Sequence, residues 1–349
     1  MQEISYTGWD IGGAHLKIAS MNQQGELQRV KQYATPLWQG VEILESALPN
    51  TLNELAGKKS QHAITMTAEL VDIFPNRDQG VTALLELCDR YIKEDFFLYS
   101  EKVGLIDPTR IAAQTQDIGS ANWHASGKFV ASQIDSGLFI DIGSSTTDLL
   151  PFAKQELLNK GVNDFTRLRH DELVYTGVVR TPLMALAKRV PFAGDEYGVA
   201  AELFATTADV YRILGLLNEK SDIMQTADDG EKTTTASIKR LGRMIGADAN
   251  MSDDVEAWHA LATHFADQQM ALLTDAFQRL IKIHNNLDKV IVAAGAGVFL
   301  IKQLATQFGY EVIEFNELVN CHESLNDSCN LCAPAVALAE LNRRYIQTG

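Results

Sequence analysis

Long hydrophobic runs are missing from this 349-residue chain. No stretch approaches the roughly 18–20 apolar residues needed to span a bilayer, so no membrane-embedded segment is expected. Cysteine is scarce. Four cysteines in a chain of this length make no disulfide framework, and a cytoplasmic setting is the expectation. The first strand pattern starts almost at Met1, so no signal peptide is expected. Positive charge is also in short supply, with 30 Lys and Arg against 45 Asp and Glu and a net charge of −15. That balance argues against nonspecific binding to DNA, RNA or an anionic membrane. It leaves room for a local pocket around a small phosphorylated ligand. At 46% hydrophobic and 21% charged, the composition is that of an ordinary globular protein of about two domains.

Two short glycine-centred segments stand out. The first runs Gly8-Trp9-Asp10-Ile11-Gly12-Gly13-Ala14-His15-Leu16-Lys17, and the second Leu138-Phe139-Ile140-Asp141-Ile142-Gly143-Ser144-Ser145-Thr146-Thr147-Asp148. Each has an apolar approach, an Asp, an apolar residue, a glycine turn and a return to apolar chain. Glycine lets a turn aim backbone N–H groups at an anion, and an Asp at a strand end suits a hydrated divalent cation. Two such turns facing each other would grip a polyphosphate from two sides. Asp141 follows Asp10 by 131 positions, which points to a duplicated architecture.

Patterning places a strand, turn, strand unit at residues 4–20, a third strand at 26–33 and a helix over 41–55 that Pro49 must end or kink. A short strand covers 62–69, a helix 80–93, a strand 95–100, and helical stretches 108–116 and 124–133. Further strands are expected at 168–175, 290–294 and 311–314. Helices are expected over 236–246, 255–285, 298–308 and 333–345, the second long and amphipathic. Core packing accounts for Met244, Met270 and the aromatics near Trp258 and Phe277. Residues 222–235 are polar and aperiodic, a solvated loop or a lid.

Taken in order, Asp10-x-Gly12-Gly13, Asp141-x-Gly143-Ser144-Ser145-Thr146-Thr147-Asp148 and Ala294-Gly295-Ala296-Gly297 resemble the three nucleotide-site motifs of the actin, sugar-kinase and heat-shock ATPase superfamily. Gly8-Trp9-Asp10-Ile11-Gly12-Gly13-Ala14, Met66-Thr67-Ala68-Glu69-Leu70, Tyr175-Thr176-Gly177-Val178-Val179-Arg180-Thr181-Pro182 and Arg243-Met244-Ile245-Gly246-Ala247-Asp248 resemble the hydantoinase/oxoprolinase-like branch. Within it they are most similar to proteins of tetrahydromethanopterin-linked one-carbon transfer, and this likeness spans essentially the whole chain. The resemblance implies a two-domain actin-like (ribonuclease H-like) α/β fold with an interdomain cleft. Residues 1–135 plus 333–349 would form the first domain and 136–332 the second. For archaeal relatives it implies methanofuran biosynthesis, in which an aminomethylfuran methyl diphosphate joins the phenol of glutamyl-tyramine and diphosphate is released. ATP-using superfamily members carry a Thr or Ser just after the first glycine pair, where this chain has Ala14-His15. That departure weakens an ATP reading and suits a substrate diphosphate.

The candidate site residues follow. Asp10 and Asp141 are expected to hold Mg²⁺ through waters, or to cap their turns. Gly12, Gly13, Ala14, Gly143, Ser144, Ser145 and Thr146, with Gly295 and Gly297, would line phosphate oxygens. His15 and Lys17 suit a leaving diphosphate, though Lys17 also fits a solvated strand lysine. Arg180 offers a guanidinium fork to phosphate or carboxylate, or a structural ion pair. Glu69 is the candidate general base, with Thr65 and Thr67 orienting the acceptor or facing solvent. Asp148 is a second metal or base residue, or fixes its hairpin. Cys321, Cys329 and Cys332, beside His322, make a candidate zinc set or a group of buried thiols. The partner is a small phosphorylated molecule, and a homodimer is plausible. The leading activity is the diphosphate-releasing transfer. Its rivals are an ATP-dependent kinase or hydrolase and a non-enzymatic nucleotide sensor.

Overall fold

The computed structural model describes residues 4–55, 59–93, 95–109, 115–249 and 255–348. The expected helical stretch 108–116 therefore falls largely outside the described residues. The chain divides into two compact units. Unit 1 comprises Met1–Ser136, Phe152–Leu157 and Glu314–Gly349; unit 2 comprises Gly137–Pro151 and Leu158–Ile313.

Unit 1 is built on β1 (Ile4–Ile11), β2 (His15–Met21), β3 (Glu26–Ala34), β4 (Lys59–Met66), β5 (Phe96–Ser100) and β6 (Gly104–Ile106). Their order across the sheet is β3-β2-β1-β4-β5-β6, with the two-residue strand Asn320–Cys321 added beside β3. β1 runs antiparallel to β2 and parallel to β4. Alternation along β1 serves two layers, because successive side chains point to opposite faces. Trp9 and Ile11 join a core with Leu44 and Leu48 of α1 (Glu42–Leu55) and Val81 and Leu84 of α2 (Arg77–Tyr91). Gly8 lies on the other face, where a Cβ would collide with the backbone of Ala335 in the closing helix Ala333–Thr348. That helix is rich in buried alanine, which lets it approach the sheet closely. The helix α1 continues through Pro49 instead of ending there. The side chains of Asn50 and Thr51 donate to the carbonyls of Ser46 and Ala47, supporting the turn that the proline weakens.

The first unit reclaims the chain from Glu314, earlier than the expected boundary at 333. The reason is local pairing: Asn320 and Cys321 align with Glu26 and Leu27 on the edge of the first sheet. Helices α3 (Thr115–Ile118) and α4 (Asn122–Ala131) complete the unit.

Unit 2 repeats the plan. β7 (Ser136–Ile142), β8 (Thr147–Ala153), β10 (Leu173–Val174), β13 (Val290–Gly295) and β14 (Glu311–Glu314) order as β10-β8-β7-β13-β14, while β9 (Glu156–Leu157) pairs with the end of β8 in the Phe152–Leu157 stretch that belongs to unit 1. As in unit 1, the third listed strand of the motif flanks the second antiparallel, and a later strand joins the first in parallel. A separate hairpin joins β11 (Arg189–Phe192) to β12 (Asp195–Gly198). The core draws on α6 (Thr207–Ile213), α7 (Thr234–Met244), α8 (Val255–Ile283) and α9 (Val298–Phe308), with Met244, Trp258 and Phe277 buried in it.

Two expectations need correction here. Residues 168–175 are not one strand: Leu168 and Arg169 end the short helix α5 (Asp164–Arg169), which an Asn163–Thr166 capping box starts, and only Leu173–Val174 pairs. The 222–235 segment is also more than a solvated loop. Asp228 bridges Arg240 and Arg243, and Asp222 pairs with Arg212, so charge pairs fasten it to the helices. Among the described residues no helix is long and apolar enough to cross a membrane.

Candidate functional site

The turn between β1 and β2 closes with the Gly12 amide donating to the His15 carbonyl at 2.9 Å. The turn between β7 and β8 closes with the Gly143 amide donating to Thr146 at 2.9 Å. Both bonds span three residues, and both begin two residues after an aspartate. A second bond is also repeated: Thr67 donates to the Ile11 carbonyl, and Gly297 to the Ile142 carbonyl, each at 2.9 Å. The sequence echo is thus an echo of backbone geometry.

In unit 1, Asp10 is only 3% exposed and lies opposite Lys17 across the β1–β2 pair, so the two side chains share a face. Thr65 sits beside Asp10 on β4 and is fully buried, which corrects the solvent-facing alternative. His15 and Ala14 are nearly buried, while Gly12, Gly13 and Lys17 are half-buried. The carbonyls of Gly13 and Ala14 are taken by the amides of Leu37 and Thr35 at 2.9 and 2.8 Å. This fixes the turn from the side of β3.

Glu69 does not stand at an open strand mouth. It is 0% exposed, and its Oε1 accepts from Ser120 Oγ at 2.6 Å, with Arg77 Nε at 3.8 Å. A Cβ on Gly119 would press on the same carboxylate at 2.8 Å. Ser120 holds a left-handed φ of 56°, and its amide donates to the Met66 carbonyl. Glu69 is therefore a buried brace between the end of β4 and the 119–120 turn. Exchange with a bound acceptor would require that brace to open, so the geometry speaks against a general base.

In unit 2, Asp141 and residues 143–146 are all half-buried, so this turn is the more open of the two. Its support is a polar bracket. A Cβ on Gly177 would stand 2.5 Å from Ser144 C and Ser145 N, so only glycine lets this backbone lie against the turn. The amides of Val179 and Arg180 donate to the Ser144 carbonyl at 3.1 and 2.8 Å. Thr207 Oγ1 and Gln269 Nε2 donate to the Gly177 carbonyl, and Gln269 Oε1 accepts from the Tyr211 hydroxyl at 2.6 Å. Arg180 is exposed, and its Nη1 donates to Ser145 Oγ at 3.2 Å.

Gly295 and Gly297 have packing reasons for their identity. Gly295 has a φ of +85°, and a Cβ there would land on Asp141 Oδ1 and the Ile142 carbonyl. A Cβ on Gly297 would strike the Ile142 side chain. Asp148 is also accounted for locally: its Oδ1 accepts from the buried Arg167 at 2.7 Å, which fixes the hairpin.

Sequence reasoning missed the bracket, although one signal was present. Gln269 interrupts the apolar stripe of α8 between Phe265 and Leu273, each one turn away, and all three are buried. A glutamine on a buried stripe must find hydrogen-bond partners.

Among the described residues no group of three or more His, Cys, Asp or Glu could hold a metal ion. The zinc expectation at Cys321, Cys329 and Cys332 fails on this point. Cys332 Sγ lies 3.9 Å from the Lys31 carbonyl, and His322 Nδ1 pairs with Ser324. Hydrogen bonding from Cys329 holds the Cys321 thiol down at about 7, so these two form a thiol pair. Magnesium asks less of the protein, since it keeps waters and takes one or two carboxylates plus substrate phosphates. The hard oxygen of Asp141, cradled against Gly295 where no Cβ intrudes, fits that demand.

A family model described as hydantoinase/oxoprolinase matches residues 61–345. The chain belongs to that family. It is 28% identical over 345 residues to a Methanocaldococcus jannaschii protein, covering 99% of both chains. That relative is a (4-{4-(2-(gamma-L-glutamylamino)ethyl)phenoxymethyl}furan-2-yl)methanamine synthase. A Methanococcus vannielii protein of the same name is 26% identical over 224 residues, covering 61% of this chain and 94% of that one. Among solved structures, nucleotide-free acetone carboxylase superposes with a TM-score of 0.57 at 11% identity, covering 97% of this chain and 70% of that one. That likeness shows the fold alone, and the fold is the actin-like ATPase and sugar-kinase type expected.

Proposed function

We propose that the protein is a transferase of methanofuran-type cofactor synthesis. It would join an aminomethylfuran methyl diphosphate to the phenol of a glutamyl-tyramine-like acceptor and release diphosphate. The observation that carries this reading is the pair of matched glycine turns, of which the first presents Ala14 where an ATP-using turn presents a hydroxyl. The full-length likeness to synthases of the corresponding ether supports it.

In this reading the C–O bond between the furan methylene and diphosphate breaks as a bond from the phenol oxygen to that methylene forms. The furan ring donates electron density to the methylene, so charge separation is stabilised by the substrate itself. The protein's task is to hold the diphosphate, orient the phenol and exclude water. Amide groups of the Gly143–Thr146 turn, the hydroxyls of Ser144, Ser145 and Thr146, and the Arg180 guanidinium would offset the negative charge that builds on the leaving group. Asp10 and Asp141, each within its own unit, are the candidate carboxylates for Mg²⁺, which when bound would supply further charge neutralisation to a diphosphate. With Glu69 tied to Ser120, the departing diphosphate is the better acceptor for the phenol proton. ATP takes no part.

Thermal stability measured with Mg²⁺ plus diphosphate, ADP or ATP tests this assignment. Diphosphate alone should raise the midpoint, and Asp141→Ala should remove the shift. A strong shift specific to ATP would favour the kinase or hydrolase alternative.

A further inference from the structure

Tyr175 is 65% exposed, yet the chain on either side of it is fixed. Val174 pairs with Thr147 in the sheet, and Thr176 is buried, its amide on the Val174 carbonyl and its own carbonyl accepting from Thr147 Oγ1 at 2.8 Å. An aromatic side chain raised from a fixed backbone is a presented surface. Thr176 begins the bracket that supports the Gly143–Thr146 turn, and Arg180, four residues beyond it, donates to Ser145 Oγ. Partial burial and the Asp164 carboxylate push the Tyr175 phenol up, while Arg180 acts on it in the opposite sense. Asp164 and Arg180 thus each act on the Tyr175 phenol.

Asp164 opens α5, and that helix carries Phe165, 83% exposed, and Leu168, also exposed, three residues apart on one side. The charge pattern around Tyr175 selects what it binds. A guanidinium and a hydroxyl at one end suit an anion, and an exposed phenol ring suits a flat ring stacked on it.

We propose that Tyr175, held beside the Gly143–Thr146 turn by its neighbours Val174 and Thr176, is the platform for the aryl ring of an aryl-methyl diphosphate whose phosphates occupy that turn. This rests on the transferase reading and adds the element that distinguishes the true donor from inorganic diphosphate. Tyr175 is thereby a specificity-determining residue. Its stacking makes the ring contribute to affinity, and Arg180 sets the distance between ring and phosphate.

Isothermal titration with Mg²⁺ and either inorganic diphosphate or benzyl diphosphate tests the platform. The native protein should bind benzyl diphosphate roughly three- to tenfold more tightly, the range expected of one aromatic contact. Tyr175→Ala should erase that preference and leave the inorganic diphosphate affinity within about twofold, while Tyr175→Phe should keep it. A preference that survives Tyr175→Ala, or that the native protein lacks, overturns the platform and leaves the transferase reading standing. Failure of both probes to bind the native protein overturns both.

Discussion

The two glycine turns share a backbone and differ in what holds them. In unit 1 the turn is pinned by main-chain bonds from Thr35 and Leu37 and lies over the apolar Val71, with its aspartate almost wholly buried. In unit 2 it leans on a bracket of Thr176, Gly177, Thr181, Thr207 and Gln269, and its hydroxyl-bearing residues stay half-open. Both units keep the pieces that set turn geometry: the aspartate, the glycine two residues on and the amide that caps the intervening carbonyl. The hydroxyls and the exposed arginine belong to unit 2 alone. Selectivity for a ligand at the unit 2 turn is thus expected to reside in those groups.

The sharpest way to break this comparison is to fill the glycines that matter in only one unit. Gly177→Ala should destabilise the protein by about 2–3 kcal/mol in urea unfolding and abolish diphosphate binding, because the neighbouring atoms are backbone and cannot yield. Gly13→Ala meets only the Val71 side chain at 2.9 Å and should cost less than about 1 kcal/mol in the same measurement. Equal losses would mean the two turns are held alike.

Next in size is Gln269→Leu. It strands the Tyr211 hydroxyl and removes donors from Thr176 and Gly177, for an expected loss of about 2 kcal/mol and a weaker grip on diphosphate.

A smaller effect separates the supports by pH. Burial alone would raise the Glu340 carboxyl on the closing helix of unit 1, but hydrogen bonds from Arg343 and Arg344 outweigh it and hold the carboxyl below the ordinary range. Because the folded value is the lower one, this stabilisation is fully present above the unfolded carboxylate value of about 4.3 and is lost as pH falls through the folded value. Glu340→Gln should cost about 1 kcal/mol at pH 7 and flatten the acid limb of urea midpoints between pH 6 and 3. The bracket in unit 2 consists of hydroxyls and an amide, so Gln269→Leu should cost the same at both ends of that range.

The smallest effect is on reactivity. Cys321, held at about 7 by Cys329, should be alkylated by iodoacetamide with a rate that is half-maximal near pH 7. Cys329→Ala should move that midpoint up toward the ordinary thiol value.

Much of this fold is legible in the residues. The strand, turn, strand units around Asp10 and Asp141 carry alternation and glycine at fixed offsets, signals that depend on neighbours in sequence. Chain patterning also locates α7, α8 and α9 to within a few residues. Long-range matters are not legible in this way. Glu69 reads as a free carboxylate until Gly80, Gly119 and Ser120 close around it, and no spacing rule connects positions 50 residues apart. Asp148 is similar, since its partner Arg167 lies on a short helix that patterning did not place. The glycines at 295 and 297 show a further limit. A motif that resembles a nucleotide contact is also what Asp141 and Ile142 require in order to pack.

The most direct test of the central claim is turnover. The purified protein with Mg²⁺, aminomethylfuran methyl diphosphate and glutamyl-tyramine should release diphosphate in equal amount to the ether formed, with no ATP present, and Asp141→Ala should abolish both. Formation of ether only when ATP is supplied and hydrolysed, or no ether at all alongside ATP turnover, would contradict it.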